Sequence, residues 1–234
     1  MRSVYRRWSQ YPYPGEAAPP KGSSGPGYWP MFFIKRSPNN EFYDPFQQRI
    51  NWRIKDPNQI EWTTELAFVE KTLNSITPQQ IELARFWGTA EFTKRIDPLI
   101  FNFAEKYQKG SPSTARILAN FHAAINDIIV ITWYLKYLWD VARPNQYDPN
   151  LRKILSTPLF PSYPSAHASI AGCAEVILSY FFPPESAGIK RIMEDAALSR
   201  LYAGVHYNID NQEGLILGRQ LGEIVVKVLK AQNV

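Results

Sequence analysis

The sequence predicts an all-α protein, a helical bundle that follows an extended, proline-rich N-terminal segment. Two observations favour this architecture. Residues 1–60 hold nine of the nineteen prolines, and proline fixes φ and keeps a chain largely free of helix. From Glu61 onward, apolar residues recur at helical spacing. We therefore expect two parts: the N-terminal segment, residues 1–60, packed on or tethered to the core, and a helical domain, residues 61–234.

The helical domain divides at its turn residues. Apolar periodicity predicts seven helices, over about 62–76, 77–92, 99–109, 111–142, 165–182, 185–203 and 211–231. Thr77 is the expected N-cap of the second helix, with Pro78 at its first position. Asp97-Pro98 predicts a break before the third helix, and Pro144 is expected to end the long fourth one.

Length and composition limit the class of protein. The chain has 234 residues, of which 45% are hydrophobic, enough for one sizeable domain or two small ones and too many for a disordered chain. The longest apolar run, residues 128–135, is far shorter than the roughly 20 residues that span a bilayer. Since no signal peptide is recognisable, we expect a cytoplasmic protein that is not integral to a membrane. Cys173 has no cysteine to pair with and is expected to be buried.

The net charge of +5 lies in the N-terminal segment. Residues 1–36 hold six Lys or Arg and one Glu, whereas the rest of the chain is balanced. A basic, aromatic segment could contact a membrane surface or a nucleic acid. We favour the alternative that it lies across the helical domain, because its many aromatic side chains need somewhere to pack, and we expect no nucleic-acid partner.

A first polar motif closes the long fourth helix. Lys136 and Arg143 are seven residues apart in the stretch KYLWDVARP, which places both cations on one face of a continuous helix. Such a pair is usually solvated charge. Because the helix around them is mostly apolar, however, these two cations would need a counter-anion.

A second motif, PSAH, opens the following helix. Pro164 precedes Ser165, Ala166 and His167, whose backbone N–H groups lie where a helix offers no internal acceptor. The helix dipole adds positive potential, so the position suits an anion. Serine is also a common N-cap, which is the structural alternative.

A third motif contains Arg200, His206 and Asp210. His206 and Asp210 are four residues apart, so on a helical turn the carboxylate can accept from one imidazole nitrogen and fix the tautomer. Arg200 reaches the same point only if the chain bends, and Gly204 lies where the bend is required.

Taken in order, the three motifs resemble the signature shared by vanadium-dependent haloperoxidases and type 2 phosphatidic acid phosphatases. The resemblance extends from about Ile76 to about Val226. It implies a helical-bundle fold and one oxyanion site that holds vanadate or phosphate. The residues that correspond to the oxyanion ligands are Lys136, Arg143, Ser165, Ala166 and Arg200. The chain departs from the family in carrying Ala166 where glycine is usual, although alanine keeps the backbone N–H.

The resemblance also implies two chemistries. In a haloperoxidase, His206 would bind the vanadium of vanadate, His167 would assist peroxide binding and Lys136 would polarise the bound peroxide. In a soluble acid phosphatase, which needs no cofactor, His206 would attack phosphorus and His167 would protonate the leaving group. Asp210 would support His206 in both.

The stretch LFPSYPSAHAS favours the haloperoxidase branch. Phe160 and Trp133 match aromatic residues of the vanadium chloroperoxidases and are expected to line the pocket, with ordinary core packing as the alternative. A phosphomonoesterase, and a non-catalytic scaffold or coat protein on the same fold, remain open. The expected partners are small molecules, either peroxide and halide or a phosphomonoester, with a homo-oligomer possible.

Overall fold

The computed structural model describes residues 5–89 and 91–234, which form eight α-helices and one small sheet. The helices are α1 (Trp62–Asn74), α2 (Pro78–Gly88), α3 (Phe92–Lys106), α4 (Ser111–Trp139), α5 (Pro144–Tyr147), α6 (Ala166–Phe181), α7 (Ser186–Tyr202) and α8 (Asn208–Ala231). The predicted all-α class is therefore confirmed. Residue 90, in the predicted second helix, and residues 1–4 lie outside the described residues.

The N-terminal segment contains the sheet, which the sequence analysis did not predict. Three two-residue strands pair antiparallel in the order β1 (Lys35–Arg36), β2 (Phe42–Tyr43) and β3 (Arg49–Ile50). The segment also has 3₁₀ turns over Trp8–Gln10, Gly25–Tyr28 and Pro57–Gln59. It packs on α4, where the backbone amides of residues 32–34 donate to the buried carboxylate of Asp127.

The bundle is organised around α6, which contacts α3, α4, α7 and α8. Most of its residues are buried, and α8 approaches it closely through glycine. A Cβ at Gly218 would overlap the carbonyl oxygen of Ser169 and lie 2.7 Å from the backbone nitrogen of Cys173. Cys173 itself is buried, as expected.

Two predicted helix boundaries are wrong. The second helix ends at Gly88, and α3 begins at Phe92 and passes through Pro98, where a break was expected. Ile96 and Ile100 are fully buried on either side of Pro98. Burial of this apolar face holds the turn helical although proline removes one hydrogen bond.

The long helix α4 ends at Trp139, three residues earlier than predicted, because the N-terminal segment binds the chain that follows. Asp140 is left-handed, with φ 54°, and its carboxylate accepts from the hydroxyl and the amide of Ser9. Trp8 N–H donates to the Asp140 carbonyl at 2.7 Å, and Val141 forms a β-bridge with Arg7. Lys136 and Arg143 therefore do not share a helix face, and their proximity has to come from the fold.

One helix of the described residues, α4, is long enough and apolar enough to cross a bilayer by length and composition. Half of its most apolar stretch is buried inside the protein. A core helix of a globular protein passes the same test, so this is weak evidence for a membrane span. The cytoplasmic localisation stays a prediction.

The α6–α8 contact generates a test of the packing. Gly218→Ala should lower the free energy of unfolding by at least about 2 kcal/mol, since the added methyl group meets backbone that cannot move away. Gly188, on α7, has open space at its Cβ position among the described residues. Gly188→Ala should therefore raise the free energy of unfolding by about 0.5–1 kcal/mol through helix propensity. Urea denaturation measures both, and equal effects at the two positions would contradict the packing.

Candidate oxyanion site

The residues of the three motifs meet at one end of the bundle. The last turn of α4 supplies Lys136 and the last turn of α7 supplies Arg200. Arg143 precedes α5, while His206 and Asp210 lie at the start of α8. Between them pass residues 158–162, which we call the carbonyl segment, and the N-terminus of α6.

Lys136 is fully buried and is held by the carbonyl segment. Its Nζ donates to the carbonyl oxygens of Pro161 at 2.8 Å and Ser162 at 2.6 Å. Burial lowers the pKa of Lys136 well below its usual range; the neighbouring Arg143 lowers it further, while Asp210 opposes the change. A bound anion would favour the protonated amine again.

Arg143 is fully buried and is shared among three acceptors. Its Nε donates to the Phe160 carbonyl at 3.0 Å, and its Nη1 donates to the Val205 carbonyl at 2.8 Å. Nη1 also lies 2.9 Å from Nε2 of His206. The third guanidinium nitrogen, Nη2, is buried and has no hydrogen-bond partner within the described residues.

Arg200 is 4% exposed, and its Nε and Nη1 find no partner in the part of the chain that the structure describes. Burial, with a further contribution from Arg143, lowers its pKa to about 10, so it stays charged at neutral pH. The end of α2 lies against it, since a Cβ at Gly88 would come within 2.8 Å of Nη1. This guanidinium therefore keeps two of its donor nitrogens free for an acceptor.

His206 is held in one tautomer. Its Nδ1 lies 2.7 Å from Oδ2 of Asp210, a carboxylate oxygen that also accepts from the Ser162 hydroxyl at 2.5 Å. Because a carboxylate only accepts, Nδ1 carries the proton and Nε2 keeps its lone pair, towards which Arg143 donates. The contact forms at the helix terminus, not on a helical turn, since His206 precedes α8 and Asp210 is its third residue. The bend at Gly204, with φ 73°, is present as predicted.

Burial sets the pKa values of this pair. It lowers the pKa of His206 well below the usual range, and the positive charges of Arg143 and Lys136 lower it further. Burial also raises the pKa of Asp210 to about 6, although the Ser162 hydrogen bond and the two cations act in the opposite direction. His206 is therefore a neutral imidazole. Its Nε2 becomes available as a nucleophile or as a metal ligand once Arg143, which donates to it in this structure, turns to an anion.

The N-terminus of α6 offers fewer donors than expected. Ser165 is the N-cap, the structural alternative that the sequence left open, with its hydroxyl oxygen accepting from Ala168 N–H at 3.4 Å. Its own amide, however, donates to the carbonyl oxygen of Asp210 at 2.9 Å. Only the amides of Ala166 and His167 remain at positions without an intrahelical acceptor. Ala166 is buried.

His167 is also held in one tautomer. Its Nε2 lies 3.2 Å from the backbone carbonyl of Trp87, and its ring packs edge-on against Phe92. Since a carbonyl only accepts, Nε2 carries the proton and Nδ1 is the acceptor. Burial lowers the pKa of His167 to about 3, and the charges of Arg200, Lys136 and Arg143 contribute to that shift.

Phe160 and Trp133 form an aromatic wall beside the cations. Their ring centroids are 4.7 Å apart. The Phe160 ring lies 5.3 Å from Nζ of Lys136 and 5.0 Å from the guanidinium carbon of Arg143. Trp133 is turned outward and donates from Nε1 to the carbonyl of Ser23. Phe160 therefore contacts the site directly, whereas Trp133 acts through Phe160.

Sequence reasoning missed three residues that support the site. Ser162 binds the carboxylate behind His206, Gln146 accepts from the amide of Arg143 at 2.8 Å, and Tyr13 lies close enough for the Arg143 charge to act on its phenol. Ser162 stands in the same PSYPSAHAS stretch as the second motif and could have been considered. Nothing in the sequence singles out Gln146 or Tyr13.

The family comparison agrees with the motifs. The sequence profile of the PAP2 superfamily matches residues 117–233, which is half of the chain. That interval contains all the residues of the three motifs. A search of curated protein sequences found no match.

Solved structures share the fold. An apo-type bacterial vanadium-dependent chloroperoxidase aligns with TM-score 0.73 and 14% identity, covering 99% of this chain and 64% of the other. A bacterial vanadium-dependent iodoperoxidase aligns with TM-score 0.66 and 21% identity, covering 87% and 63%. A transmembrane PAP2-type phosphatidylglycerolphosphate phosphatase from Bacillus subtilis aligns with TM-score 0.53 and 20% identity, covering 73% and 86%. The chain spans less than two thirds of the length of the two peroxidases, and these identities establish the fold only.

Acid should destabilise the anion-free protein through His167. Its folded pKa is about 3, whereas an unfolded histidine titrates near 6.5, so between these values the unfolded chain binds the extra proton. Stability is therefore lost as the pH falls below about 6.5. Relative to His167→Gln, the wild type should lose up to about 1.4 kcal/mol per pH unit between about pH 6 and about pH 4. Urea denaturation in phosphate-free buffer measures this, and parallel pH profiles would contradict it.

Proposed function

We propose a function on the premise that the chain belongs to the PAP2 superfamily. Its buried cationic site binds a tetrahedral oxyanion, and the protein is a vanadium haloperoxidase-like enzyme. In this role it oxidises halide with hydrogen peroxide. The expected substrates are small molecules. The activity, the cofactor and the roles of the residues are all parts of this proposal.

The observation that carries the proposal is an imbalance of buried charge. Lys136, Arg143 and Arg200 are each at most 4% exposed, and Asp210 is a carboxylate that acts on Lys136 and Arg143. Three guanidinium nitrogens have no partner among the described residues. Buried unpaired cations are costly, so a site that keeps them needs an anion with several acceptor oxygens.

Vanadate and phosphate both fit this donor set. The residues that would hold the oxyanion are Lys136, Arg143, Ser165, Ala166 and Arg200, with His206 as the ligand of vanadium. Arginine forks match the oxygens of such anions, and the lone pair of His206 Nε2 suits coordination. Bound vanadate would supply a Lewis acid that activates hydrogen peroxide towards halide.

The two histidines divide the proton handling. Asp210 keeps the proton of His206 on Nδ1, so that Nε2 keeps the lone pair with which it would bind the oxyanion. His167, whose Nδ1 is the acceptor, would take a proton from hydrogen peroxide once the charge of a bound oxyanion has raised its pKa from about 3.

The aromatic wall is the feature that favours the peroxidase. Phe160 covers one side of both Lys136 and Arg143 at cation–π distance. An apolar face over the cations excludes water and lowers the local dielectric, which strengthens their pull on a developing negative charge. A polarisable halide is compatible with this surface, whereas a sugar phosphate would find few hydrogen-bond partners on it.

A phosphomonoesterase is the second candidate, favoured by the tautomer of His206. Nε2 of His206 would attack phosphorus, the P–O bond to the alcohol would break, and water would later hydrolyse the phosphohistidine. The leaving alkoxide needs a proton from His167, which is neutral in the anion-free protein. The charge of a bound phosphoester would have to raise the pKa of His167 for this step.

Removing the positive charge of Arg200 should weaken anion binding and stabilise the fold. Arg200→Met should weaken orthovanadate binding by about 100-fold, which is about 2.7 kcal/mol. In anion-free buffer it should raise the free energy of unfolding by about 1–3 kcal/mol, since an unpaired buried charge is removed. Arg219→Met is the control, because Arg219 pairs with Glu175 and Glu194 away from the site. Isothermal titration calorimetry and urea denaturation provide the two readouts.

That prediction is contradicted if Arg200→Met binds orthovanadate like the wild type, or if Arg219→Met loses binding to the same extent. A wild type that binds neither orthovanadate nor phosphate would favour the non-catalytic scaffold instead.

Activity separates the two enzymes. One half of a metal-free preparation is given a chromogenic phosphomonoester, and the other is loaded with orthovanadate and given peroxide, bromide or chloride, and a halogen acceptor. We expect halogenation that requires vanadate, with little phosphate release, and its loss in His206→Ala. Phosphate release that vanadate inhibits, without halogenation, would make the protein a phosphatase.

A further inference from the structure

The carbonyl segment, residues 158–162, holds both Lys136 and Arg143. Three consecutive carbonyls accept from the two cations, with Phe160 binding Arg143 and with Pro161 and Ser162 binding Lys136. The Phe160 ring lies on both as well. The position of this segment therefore determines where the two positive charges point.

The carbonyl segment is fixed at its two ends by different parts of the chain. At its end, the Ser162 amide donates to the carbonyl of Val141 at 2.8 Å. At its start, the carbonyl of Pro158 accepts from the phenol of Tyr13 at 2.6 Å. One anchor comes from the helical domain, and the other comes from the N-terminal segment, 145 residues away along the sequence.

Tyr13 is itself held rigidly. Its ring is 5% exposed, and its phenol oxygen accepts from Nε1 of Trp8 at 2.7 Å. The Gln146 side-chain amide donates to the carbonyls of Trp8 at 2.9 Å and Tyr11 at 2.6 Å. The same Gln146 accepts from the amide of Arg143. The N-terminal segment is thus attached to the chain that carries Arg143 beside the point where Tyr13 reaches Pro158.

We infer that Tyr13 is a positioning residue that holds the guanidinium of Arg143 in place for the oxyanion. The inference rests on the proposed function for the anion, but the hold on Arg143 exists without it. Tyr13 acts through Pro158 and the carbonyl segment, and its phenol also lies close enough to act on the Arg143 guanidinium directly. It gives the N-terminal segment a part in the site that none of the three motifs includes.

The loss of the phenol should loosen Arg143 without removing any charge. Without the Tyr13 hydrogen bond, the start of the carbonyl segment is free to shift, and the Phe160 carbonyl moves with it. The bond from Arg143 Nε then opens more often. An oxyanion must order Arg143 again on binding, so its affinity falls in proportion to the fraction of molecules in which Arg143 stays in place.

The test compares two Tyr→Phe substitutions in the N-terminal segment. Tyr13→Phe removes the hydroxyl that binds Pro158. Tyr43→Phe is the matched control, because its hydroxyl donates to Glu41 on the small sheet at 2.9 Å and does not contact the site. Hydrogen exchange of the Arg143 Nε–H, followed by ¹⁵N NMR in anion-free buffer, reports the hold on Arg143. Calorimetric titration with orthovanadate reports its consequence.

We expect Tyr13→Phe to lower the fraction of ordered Arg143 to about one tenth. This should speed the exchange at least about tenfold and weaken orthovanadate binding about tenfold, with Tyr43→Phe like the wild type in both. Unchanged exchange or unchanged orthovanadate binding in Tyr13→Phe overturns the inference. The proposed function still stands in that case, provided that the wild-type protein binds orthovanadate. If the wild type binds no oxyanion but the exchange responds, the proposed function fails and the hold of Tyr13 on Arg143 is supported.

Discussion

Burying a charge without a partner costs several kcal/mol, about as much as the net stability of a small domain. This protein buries Lys136, Arg143 and Arg200 near one another and close to the carboxylate of Asp210. The fold offsets part of that cost with main-chain carbonyls, four of which accept from Lys136 and Arg143. Arg200 is left with unused donors among the described residues. The remaining cost explains why an oxyanion is the ligand that the site should select.

The helices that form the site were largely predictable, because apolar periodicity and capping residues are local signals. Thr77 is the predicted N-cap, and Ser165 is the N-cap that the sequence offered as the alternative to an anion ligand. The signal failed where tertiary contacts overrode it. Pro98 lies inside α3 because burial of Ile96 and Ile100 outweighs the lost hydrogen bond. Helix α4 ends early because distant residues of the N-terminal segment bind the chain after Trp139.

The side chains of the site were named from motif spacing, but their geometry was not predictable. Arg143 reaches His206 although it lies off α4, contrary to the expected shared helix face. The amide of Ser165 is consumed by the Asp210 carbonyl, which no spacing rule indicates. Tyr13 and Gln146 come from stretches without polar motifs. Contacts between residues more than a hundred positions apart leave no pattern in a single sequence.

A crystal structure of the full chain soaked with orthovanadate tests the central claim most directly, namely that these buried cations exist to hold one oxyanion. The account predicts one vanadate bound at His206 Nε2, with Lys136, Arg143 and Arg200 within hydrogen-bond distance of its oxygens. It also predicts that Arg143 no longer donates to Nε2 of His206 and donates to the anion instead. Vanadate found only on the surface, or an unchanged cation cluster at saturating vanadate, would contradict the account.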